Sequence, residues 1–411
     1  MEPFVRPVVD PGFAAAALAF LLGGAALGTL SGLLPGLHAN NFALLLAGFA
    51  PSTPADPLLV GVAMLGAGVV HTFLDVVPAL ALGVPDAAMA VASLPGHRLV
   101  IAGRGREAVR LSAIGSGAAV ALALPLAVPV TWLMVRLYPL VRAHLSLLLG
   151  GVVVFLVLTE SSRHAAVGGF AAFAASAALG VVALDVRPAA PLDTGGMLVP
   201  LFAGLFGAPV VVESVRGSGI PPQADARIAM APRSLGITAG AGSLAGAVVG
   251  YIPGVSAAIA AILALPAVPE DDADRGFVVA TSGASTANTI FALFALVALG
   301  TPRTGVMVAL DRAKVPFALP ILLVAATLGA VSGFCLLLLV GDAYLRLVGA
   351  VNYARLSVAV LLLLLTVSYL FAGVVGVVAF AGATVLGLVP PRMGARRVHL
   401  MGVLIGPILL S

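Results

Sequence analysis

Three polar side chains, His71, Thr72 and Asp75, lie within the apolar stretch from Pro57 to Leu82. His71 and Asp75 are four residues apart and therefore share one face if the stretch is a helix. An ionisable side chain deep in a membrane costs about 3 kcal/mol or more, so it indicates a functional site by default. Such a pair can carry a coupling proton, or Asp75 can help to bind a sodium ion. A structural hydrogen-bonded pair is the competing interpretation.

Neutral polar residues, five of which concern us here, lie in a second apolar stretch, from Gly276 to Leu299. Hydroxyl and amide groups can bind sodium or substrate oxygens at a small cost in desolvation. They can equally join helices through hydrogen bonds, each contributing well under about 2 kcal/mol. We predict that they form a substrate or ion site together with the first group: Ser282, Ser285, Thr286, Asn288 and Thr289.

Two Pro-Gly pairs interrupt apolar stretches and indicate backbone binding sites. Proline lacks an N–H donor and glycine tolerates unusual backbone angles, so a regular helix ends at each pair. A helix that restarts beyond the break points its N–H groups and positive dipole end at it, which favours an anion of carboxylate size. Simple kinks in packing helices are the competing interpretation. The residues concerned are Pro35, Gly36, His38, Asn40 and Asn41 in the first case and Pro253, Gly254 and Ser256 in the second.

The composition indicates what kind of elements must position these groups. Of the 411 residues, 61% are hydrophobic and only 9% are charged, whereas a water-soluble domain carries roughly 25% charged residues. The apolar runs are continuous and lack the alternation of barrel strands, so they predict helices. A helix needs about 20 apolar residues to span the bilayer, and we predict an all-α polytopic integral membrane protein with about 10–12 transmembrane helices.

Full-length spans are predicted at Gly12 to Leu34, Pro57 to Leu82, Ala108 to Val135, Leu137 to Leu158, His164 to Leu184, Ser234 to Ile252, Gly276 to Leu299 and Val315 to Val340. The run from Leu356 to Leu388 predicts two helices joined near Gly373. Four further apolar pieces are too short to span and therefore predict broken or re-entrant helices. They are Leu37 to Ala50, Met197 to Val212, Val255 to Val268 and Val398 to Leu410.

The chain contains an internal repeat. The motif Gly-x-x-x-Gly-x-x-Pro-Gly occurs from Gly28 and again from Gly246. His71 and Asn288 stand the same 12 residues before Gly83 and Gly300, each of which opens a Gly-x-Pro turn. We predict two transmembrane repeats, 12–212 and 234–411, joined by a polar connection at 213–233, with hinges at Gly83, Pro85, Gly300 and Pro302. Interrupted segments at matching positions of two halves are typical of transporter binding sites. Whether the repeats are parallel or inverted stays open.

The charged residues are grouped in a few connections. One basic connection holds Arg98, Arg104, Arg106 and Arg110, and another holds Arg303, Arg312 and Lys314. Basic loops favour the cytoplasmic side, so both are predicted there, and the acidic loop from Glu270 to Asp274 is predicted on the outer face. The group Glu160, Arg163 and His164 separates two apolar runs and predicts a solvated turn.

Motifs of soluble enzymes and of ATP-driven pumps are absent from the sequence, among them His-Glu-x-x-His, the phosphate-binding Gly-x-x-x-x-Gly-Lys-Ser/Thr and Gly-x-Ser-x-Gly. We expect a multi-pass transporter of a small organic anion in the plasma membrane, with lipid as its surroundings and without a cofactor, a metal site or nucleic acid. Two other classes stay open: an intramembrane enzyme that acts on a lipid or peptide through His71 and Asp75, and a scaffold subunit that transports nothing.

Four stretches carry a family resemblance: Gly32 to Leu46, Gly83 to Asp86, Leu94 to Ala108 and Gly250 to Ala261. In these the chain resembles the large membrane subunit of the tripartite tricarboxylate transporters, the TctA family, in its compact archaeal branch. The resemblance implies a secondary carrier that takes up carboxylates with a sodium or proton gradient. It also implies two partners, a small membrane subunit and an extracytoplasmic solute-binding protein.

Overall fold

The computed structural model describes residues 10–34, 42–43, 46, 53–83, 93–191, 196–214, 220–224, 226–252, 255, 257–264, 268 and 272–410. Within these ranges every regular element is a helix. Seven helices in this part of the chain are long and apolar enough to cross a membrane, and three shorter apolar helices accompany them. The predicted all-α polytopic fold is therefore confirmed.

The helices of the first half are α1 (Pro11–Leu33), α2 (Pro57–Leu74), α3 (Val76–Leu82), α4 (Ser93–Ile101), α5 (Gly105–Ala143), α6 (Leu145–Leu158), α7 (Arg163–Ala183), α8 (Leu198–Phe202) and α9 (Ala208–Ser214), with a π-helix (Ala203–Gly207) between the last two. Those of the second half are α10 (Pro232–Val249), α11 (Ala257–Ala264), α12 (Ala273–Leu299), α13 (Gly305–Arg312), α14 (Leu319–Ala350), α15 (Tyr353–Gly387), α16 (Val389–Arg392) and α17 (Gly402–Leu410), with a 3-10 helix (Arg397–Met401) before α17.

The short apolar pieces stay short in the structure. Helix α11 has 8 residues and α17 has 9, whereas a full span needs about 20. Most of the piece predicted from Leu37 to Ala50 lies outside the described residues. The predicted junction near Gly373 is confirmed, because Ala372 and Gly373 have non-helical backbone angles inside α15. A Cβ atom at Gly373 would lie 2.2 Å from the carbonyl oxygen of Ala189.

Glycines on α1 let its backbone lie directly on α2. A Cβ atom built on Gly24 would lie 2.2 Å from the carbonyl oxygen of Ala63, and one on Gly28 would lie 2.4 Å from that of Ala67. No side chain fits at such distances. This small-residue packing holds membrane helices together through van der Waals contact, since lipid removes the hydrophobic driving force between them.

Helices α10 and α12 are packed in the same way. A Cβ atom on Gly242 would lie 2.4 Å from the carbonyl oxygen of Ala280, and one on Gly246 would lie 2.3 Å from that of Ala284. The same close packing of two helices through glycines thus occurs in both halves. The predicted repeat boundaries at 12–212, 213–233 and 234–411 stay predictions.

The glycines after α3 and α12 end both helices identically. Gly83 and Gly300 have φ of 65° and 64°, in the left-handed region that favours glycine. A proline two residues later is typical of such an ending, and Pro302 occupies that position. The four hinge assignments stay predictions, and Pro85 lies outside the described residues.

Helices α2 and α12 each also pack against a long helix from the other half. Helix α5 runs parallel to α12, because Glu107 pairs with Arg275 at the start and Ser116 Oγ contacts the Ser282 carbonyl further along. Helix α14 likewise runs parallel to α2, since Gly329 adjoins Gly66 and Gly333 adjoins Phe73.

Helices α5 and α14 run in opposite directions. Val109 lies beside Gly341, and Gly117 lies beside Phe334, so positions rise along α5 as they fall along α14. Because α12 follows α5 and α2 follows α14, α2 and α12 are antiparallel. The two halves are therefore inverted relative to each other, which answers the question that the sequence left open.

This inversion overturns the prediction that both basic connections are cytoplasmic. Arg98 pairs with Asp274 at the start of α12, whereas Arg303 follows the end of that helix, about 40 Å away along its axis. The two basic connections therefore lie at opposite ends of the bundle, and only one can be cytoplasmic. Asp274 pairs with Arg98 and so lies at the same end as the first basic connection, and the outer-face location of the acidic loop stays a prediction. The ion pair between Arg98 of the first half and Asp274 of the second half is the physical reason why these two residues lie at the same end of the bundle.

Among the described residues, the two ends of the inverted helix pairs differ in charge at the positions that match. Glu107 on α5 is buried between Arg104 and Arg275 and accepts a hydrogen bond from the Ala229 N–H. The position that matches Arg275 at the other end of the inverted pair is Leu58 on α2, which packs against the hydrophobic core. An apolar side chain thus takes the place of the arginine there.

The boundary predicted after Val135 is wrong. Helix α5 continues through Arg136 to Ala143 and has 39 residues, and α6 that follows has only 14. The guanidinium of Arg136 lies 3.5 Å from the centre of the Trp132 ring, one turn back. A cation–π contact and a long flexible stem let arginine remain within a helix near a membrane surface.

The turn between α6 and α7 is not solvated at Glu160, contrary to the sequence prediction. The Glu160 side chain is 2% exposed and accepts hydrogen bonds from Arg396 Nε at 2.9 Å and from His399 Nε2 at 2.8 Å. Burial raises the pKa of Glu160, but the hydrogen bonds from Arg396 and His399 outweigh burial and lower it. Burial also lowers the pKa of His399, although Glu160 opposes this. This cluster ties the C-terminal segment to the first half.

Stability should therefore depend on pH through Glu160. A carboxylate with a lowered folded pKa contributes stability above its unfolded pKa of 4.5 and loses it as the pH falls through the folded value. Thermal unfolding midpoints should show Glu160→Gln clearly less stable than the wild type at pH 7, with the difference shrinking below about pH 4.5. Asp185→Asn at an exposed site is the control. A difference independent of pH contradicts the assignment.

The glycine contacts predict opposite effects of one substitution at two positions of α1. Gly28→Ala should destabilise the protein by about 1–3 kcal/mol because the methyl group collides with the Ala67 carbonyl. Gly23→Ala is the matched control: no atom lies within 4 Å of its new methyl group, and the better helix former should add up to about 1 kcal/mol. Unfolding midpoints in detergent measure both. Equal effects would show that α1 does not pack on α2.

Candidate functional site

The end of α1 lies against the polar part of α2. A Cβ atom on Gly32 would be 2.7 Å from Leu74 Cβ, 3.1 Å from the His71 carbonyl oxygen and 3.2 Å from the Asp75 nitrogen. Leu34, the last described residue before the Pro-Gly pair, follows two positions later. The end of α1 therefore adjoins His71 and Asp75, and the shared site predicted there stays a prediction.

His71 is completely buried and held on two sides. Its Nδ1 lies 2.9 Å from Ser31 Oγ on α1. The Phe42 ring stacks on the imidazole with 6.4 Å between centroids and 14° between planes. A hydrogen bond to one imidazole nitrogen sets the tautomer of a buried histidine, and the tautomer decides whether the other nitrogen donates or accepts.

Asp75 joins α2 to α3 with helical backbone angles, φ −60° and ψ −24°. It is only 4% exposed, and α2 ends at the residue before it while α3 begins at the residue after it. Pro78 in α3 interrupts the backbone hydrogen bonds here, because its nitrogen has no hydrogen to offer the carbonyl of Leu74 four residues earlier. A carboxylate thus lies beside a helix interruption inside an apolar bundle.

The second half repeats this geometry with different chemistry. A Cβ atom on Gly250, at the end of α10, would be 3.1 Å from the Asn288 carbonyl oxygen and 3.3 Å from the Ala292 nitrogen. Asn288 matches His71, and Ala292 matches Asp75. The ionisable pair is therefore confined to the first half, and a neutral amide takes its place in the second.

Two threonines bring the two halves together. Thr72 Oγ1 on α2 lies 3.3 Å from Thr286 Oγ1 on α12. Thr72 donates its own hydroxyl proton to the Val69 carbonyl at 2.8 Å, so Thr286 is the donor in the contact between them. Thr289 on the same helix donates to the Ser285 carbonyl at 3.3 Å. The polar sets that the sequence placed on separate helices thus meet where α2 crosses α12.

Ser282 is turned to a different neighbour. Its Oγ lies 2.8 Å from Ser112 Oγ on α5, and Ser116 Oγ donates to its carbonyl at 3.2 Å. These contacts join α12 to α5 rather than to α2. The structure therefore does not bring Ser282 to the threonine crossing.

Several predicted residues lie outside the described part of the chain, and their roles stay predictions. They are Pro35, Gly36, His38, Asn40, Asn41, Pro85, Pro253, Gly254 and Ser256. Among the described residues, no three or more His, Cys, Asp or Glu side chains come together as a metal site.

The sequence did not indicate two residues that lie near the site. Ser31 lies inside the first Gly-x-x-x-Gly-x-x-Pro-Gly motif, and its hydroxyl in an otherwise small and apolar helix face was an available signal. Tyr344 on α14 donates its hydroxyl to the Leu33 carbonyl at 3.4 Å, at the end of α1. The two are 311 residues apart in the chain, so no local pattern could have indicated this contact.

Inverted halves that each bring an interrupted helix beside a buried polar helix define a class of protein, the polytopic membrane transporters. The family model of the tripartite tricarboxylate transporter TctA family matches residues 18–402, and the chain belongs to this family. The chain is also 25% identical over 403 residues to an uncharacterized protein of Methanocaldococcus jannaschii, covering 96% of this chain and 98% of that protein. No solved structure matches the chain.

Membership of the family confirms the resemblance found in the sequence. The protein is a multi-pass membrane transporter component of the plasma membrane, and its family is one of transporter components rather than of enzymes. The family belongs to tripartite transporters, which work with a small membrane subunit and a solute-binding protein.

A double-mutant cycle tests whether Ser282 joins α12 to α5. Ser282→Ala and Ser112→Ala should each lower the unfolding free energy, and the two together should cost less than their sum, with a coupling of about 0.6 kcal/mol. The cycle is measured by unfolding in detergent. Ser243→Ala combined with Ser112→Ala is the control, because Ser243 bonds to its own helix at Ala239. Strict additivity in the Ser112 and Ser282 cycle contradicts the contact.

Proposed function

We propose that this protein is a secondary active permease that moves small organic anions of the carboxylate class with a sodium or proton gradient. The observation that carries the proposal is the Thr72 to Thr286 contact, where polar groups of two inverted halves meet beside His71 and Asp75. A site shared by inverted halves is suited to alternating access, because either half can close it. The name of the family supports a carboxylate substrate.

The helix breaks support an anionic substrate. Helix α11 begins three residues after Gly254 and packs against α10 and α12 through Ala260, Ala261 and Ala284. Its first turn therefore begins beside the break in the second half. The N–H groups of a helix start and its positive dipole end attract a carboxylate. The hydroxyl and amide groups on α12 can donate further hydrogen bonds to its oxygens.

The first half supplies a place for the coupling cation. An anion that enters a cell must move against an inside-negative potential, about 2.3 kcal/mol per charge for each 100 mV. Cations that travel with it offset that cost. His71 and Asp75 are buried, ionisable and one helical turn apart, so the pair can change its charge or attract a cation during the cycle.

We infer that the chain works with a small membrane subunit and an extracytoplasmic solute-binding protein, as its family does. The binding protein would capture the solute, and the present chain would carry it through the membrane. Its inverted halves and central polar crossing support that division, since polar groups of both halves meet within one chain.

Uptake by reconstituted vesicles tests the roles of the two halves. Asp75→Asn and Asn288→Ala should each reduce gradient-driven carboxylate uptake at least about tenfold, corresponding to a loss of about 1.4 kcal/mol at the site. Asp56→Asn and Asn352→Ala are matched controls, because both residues cap helix starts at exposed positions. Uptake that survives both site variants refutes this site. Turnover of a lipid or peptide without any gradient indicates the enzyme alternative instead.

A thermal-shift screen tests the substrate class without a partner protein. A ligand that binds only the folded state at 100 times its Kd stabilises that state by about 2.7 kcal/mol. Purified protein should therefore unfold at a higher temperature with one or more di- or tricarboxylates, with sodium or pH changing the shift. Neutral compounds of similar size are the control. The absence of any shift across the carboxylates contradicts the proposed substrate class.

A further inference from the structure

A cavity of about 420 Å³ lies where the start of α5 meets the end of α14. Its walls come from both halves of the chain and from the connection between them: Arg106 of α5, residues 220–223 of the connection and the last turns of α14. None of the described residues predicted for the substrate site lines it, so it is separate from the site around His71 and Thr286. A space of this volume is large enough for a small polar ligand.

Arg346 gives the cavity a positive charge. Arg106 pairs with Asp342, with 2.8 Å between Nη2 and a carboxylate oxygen, so these two lining charges offset each other. Arg346 lies on α14 one turn after Asp342, is exposed, and makes no ion pair with a carboxylate among the described residues. An arginine in this state attracts a phosphate group and can bind it through two parallel hydrogen bonds.

The length of α14 places Arg346 at the level of the lipid headgroups. The helix has 32 residues, about 48 Å at 1.5 Å per residue, whereas the hydrocarbon core is about 30 Å thick. Shared between both ends, the surplus is about 9 Å at each end. Arg346 is four residues before Ala350, the last residue of α14, and therefore lies about 6 Å from the helix end. The phosphates of membrane lipids are found at this depth.

Apolar side chains beside the cavity are exposed to lipid. Leu347, next to Arg346 on α14, is 60% exposed, and Ile101 at the end of α4 is 50% exposed. Leu345 and Ile220 add apolar surface within the cavity itself. A site with a cation and bordering hydrocarbon suits a lipid, because the acyl chains can continue along the helix surface below the headgroup.

The wall formed by residues 221–223 is fixed by hydrogen bonds. Gln223 Nε2 donates to the Val100 carbonyl at 3.2 Å, and Gln223 Oε1 accepts from the Gly105 N–H at 2.7 Å. These bonds hold the two prolines before Gln223 against the start of α5. The cavity is therefore formed in advance, which lowers the cost of ordering when a ligand binds.

We propose that this cavity binds the phosphate group of an anionic membrane lipid, with Arg346 as the cation that attracts it. Basic pockets between membrane helices bind lipid headgroups through the same combination of charge and bordering hydrocarbon. The site goes beyond the proposed transport function and does not depend on it. A lipid held there contacts both halves and the connection between them, so its binding stabilises the folded protein.

Unfolding midpoints of the purified full chain in a neutral detergent test the site. Short-chain phosphatidylglycerol is titrated against the wild type, Arg346→Gln and Arg355→Gln. Arg355 is the matched control: it is an exposed arginine in the first turn of α15, just after α14 ends, and it does not line the cavity. Arg346→Gln should weaken the affinity about fivefold, the effect of one basic residue at the membrane surface, and Arg355→Gln should keep the wild-type affinity. Equal affinities of the two variants overturn the proposal.

A third variant separates binding in the cavity from adsorption around it. Gly349→Leu changes no charge and adds a side chain within the cavity, where the atom nearest to the new Cβ is Ile220 Cγ1 at 3.7 Å, an ordinary contact. It should abolish the rise in the unfolding midpoint that the lipid causes in the wild type. A wild-type affinity in Gly349→Leu shows adsorption on the surface and refutes the cavity as the site.

Two further probes distinguish the source of the phosphate. Inorganic phosphate at the same concentration should raise the midpoint much less than phosphatidylglycerol, because it lacks acyl chains. Short-chain phosphatidylcholine, whose headgroup is neutral overall, should also raise it less. A shift with inorganic phosphate that equals the lipid shift assigns the cavity to a free anion and overturns the lipid. An equal shift with phosphatidylcholine overturns the role of Arg346.

Discussion

The close approach of helix backbones through glycine is the contact on which the structure depends. Gly24 and Gly28 bring α1 onto α2, and Gly242 and Gly246 bring α10 onto α12, with no space for a side chain. Because lipid provides no hydrophobic force between helices, shape complementarity and dispersion must hold each pair. Further along the same helices, Gly32 and Gly250 bring the ends of α1 and α10 beside the polar residues of the neighbouring helix.

Much of the fold follows from the sequence because bilayer thickness and the hydrogen-bonding needs of the backbone leave few solutions. The apolar runs, the duplicated motif and the break near Gly373 all have local signals. The side of the membrane on which each connection lies has no local signal, because it depends on contacts between the halves, such as that of Arg98 with Asp274. The length of α5 has no local signal either. An arginine usually marks the end of a membrane span, but Arg136 lies over Trp132 within the helix.

The polar site was only partly predictable for a similar reason. Residue type and helical spacing pointed to His71, Asp75, Thr286 and Asn288, because a polar side chain in an apolar run is conspicuous. Spacing along one helix cannot show which neighbour a side chain meets, so Ser282 was grouped with them although it contacts Ser112. The division of chemistry between an ionisable first half and a neutral second half emerges once the matching positions, Asp75 and Ala292, are compared in space.

The ends of the inverted helix pairs differ in a way that bears on energetics. One end holds Glu107 with Arg104 and Arg275, whereas Leu58 occupies the position that matches Arg275. Dissolved salt screens pairs of buried charges much less than exposed ones, and Glu107 is buried. The attraction at the charged end should therefore persist over a wide range of ionic strength, so the two ends of the bundle are held by different kinds of force.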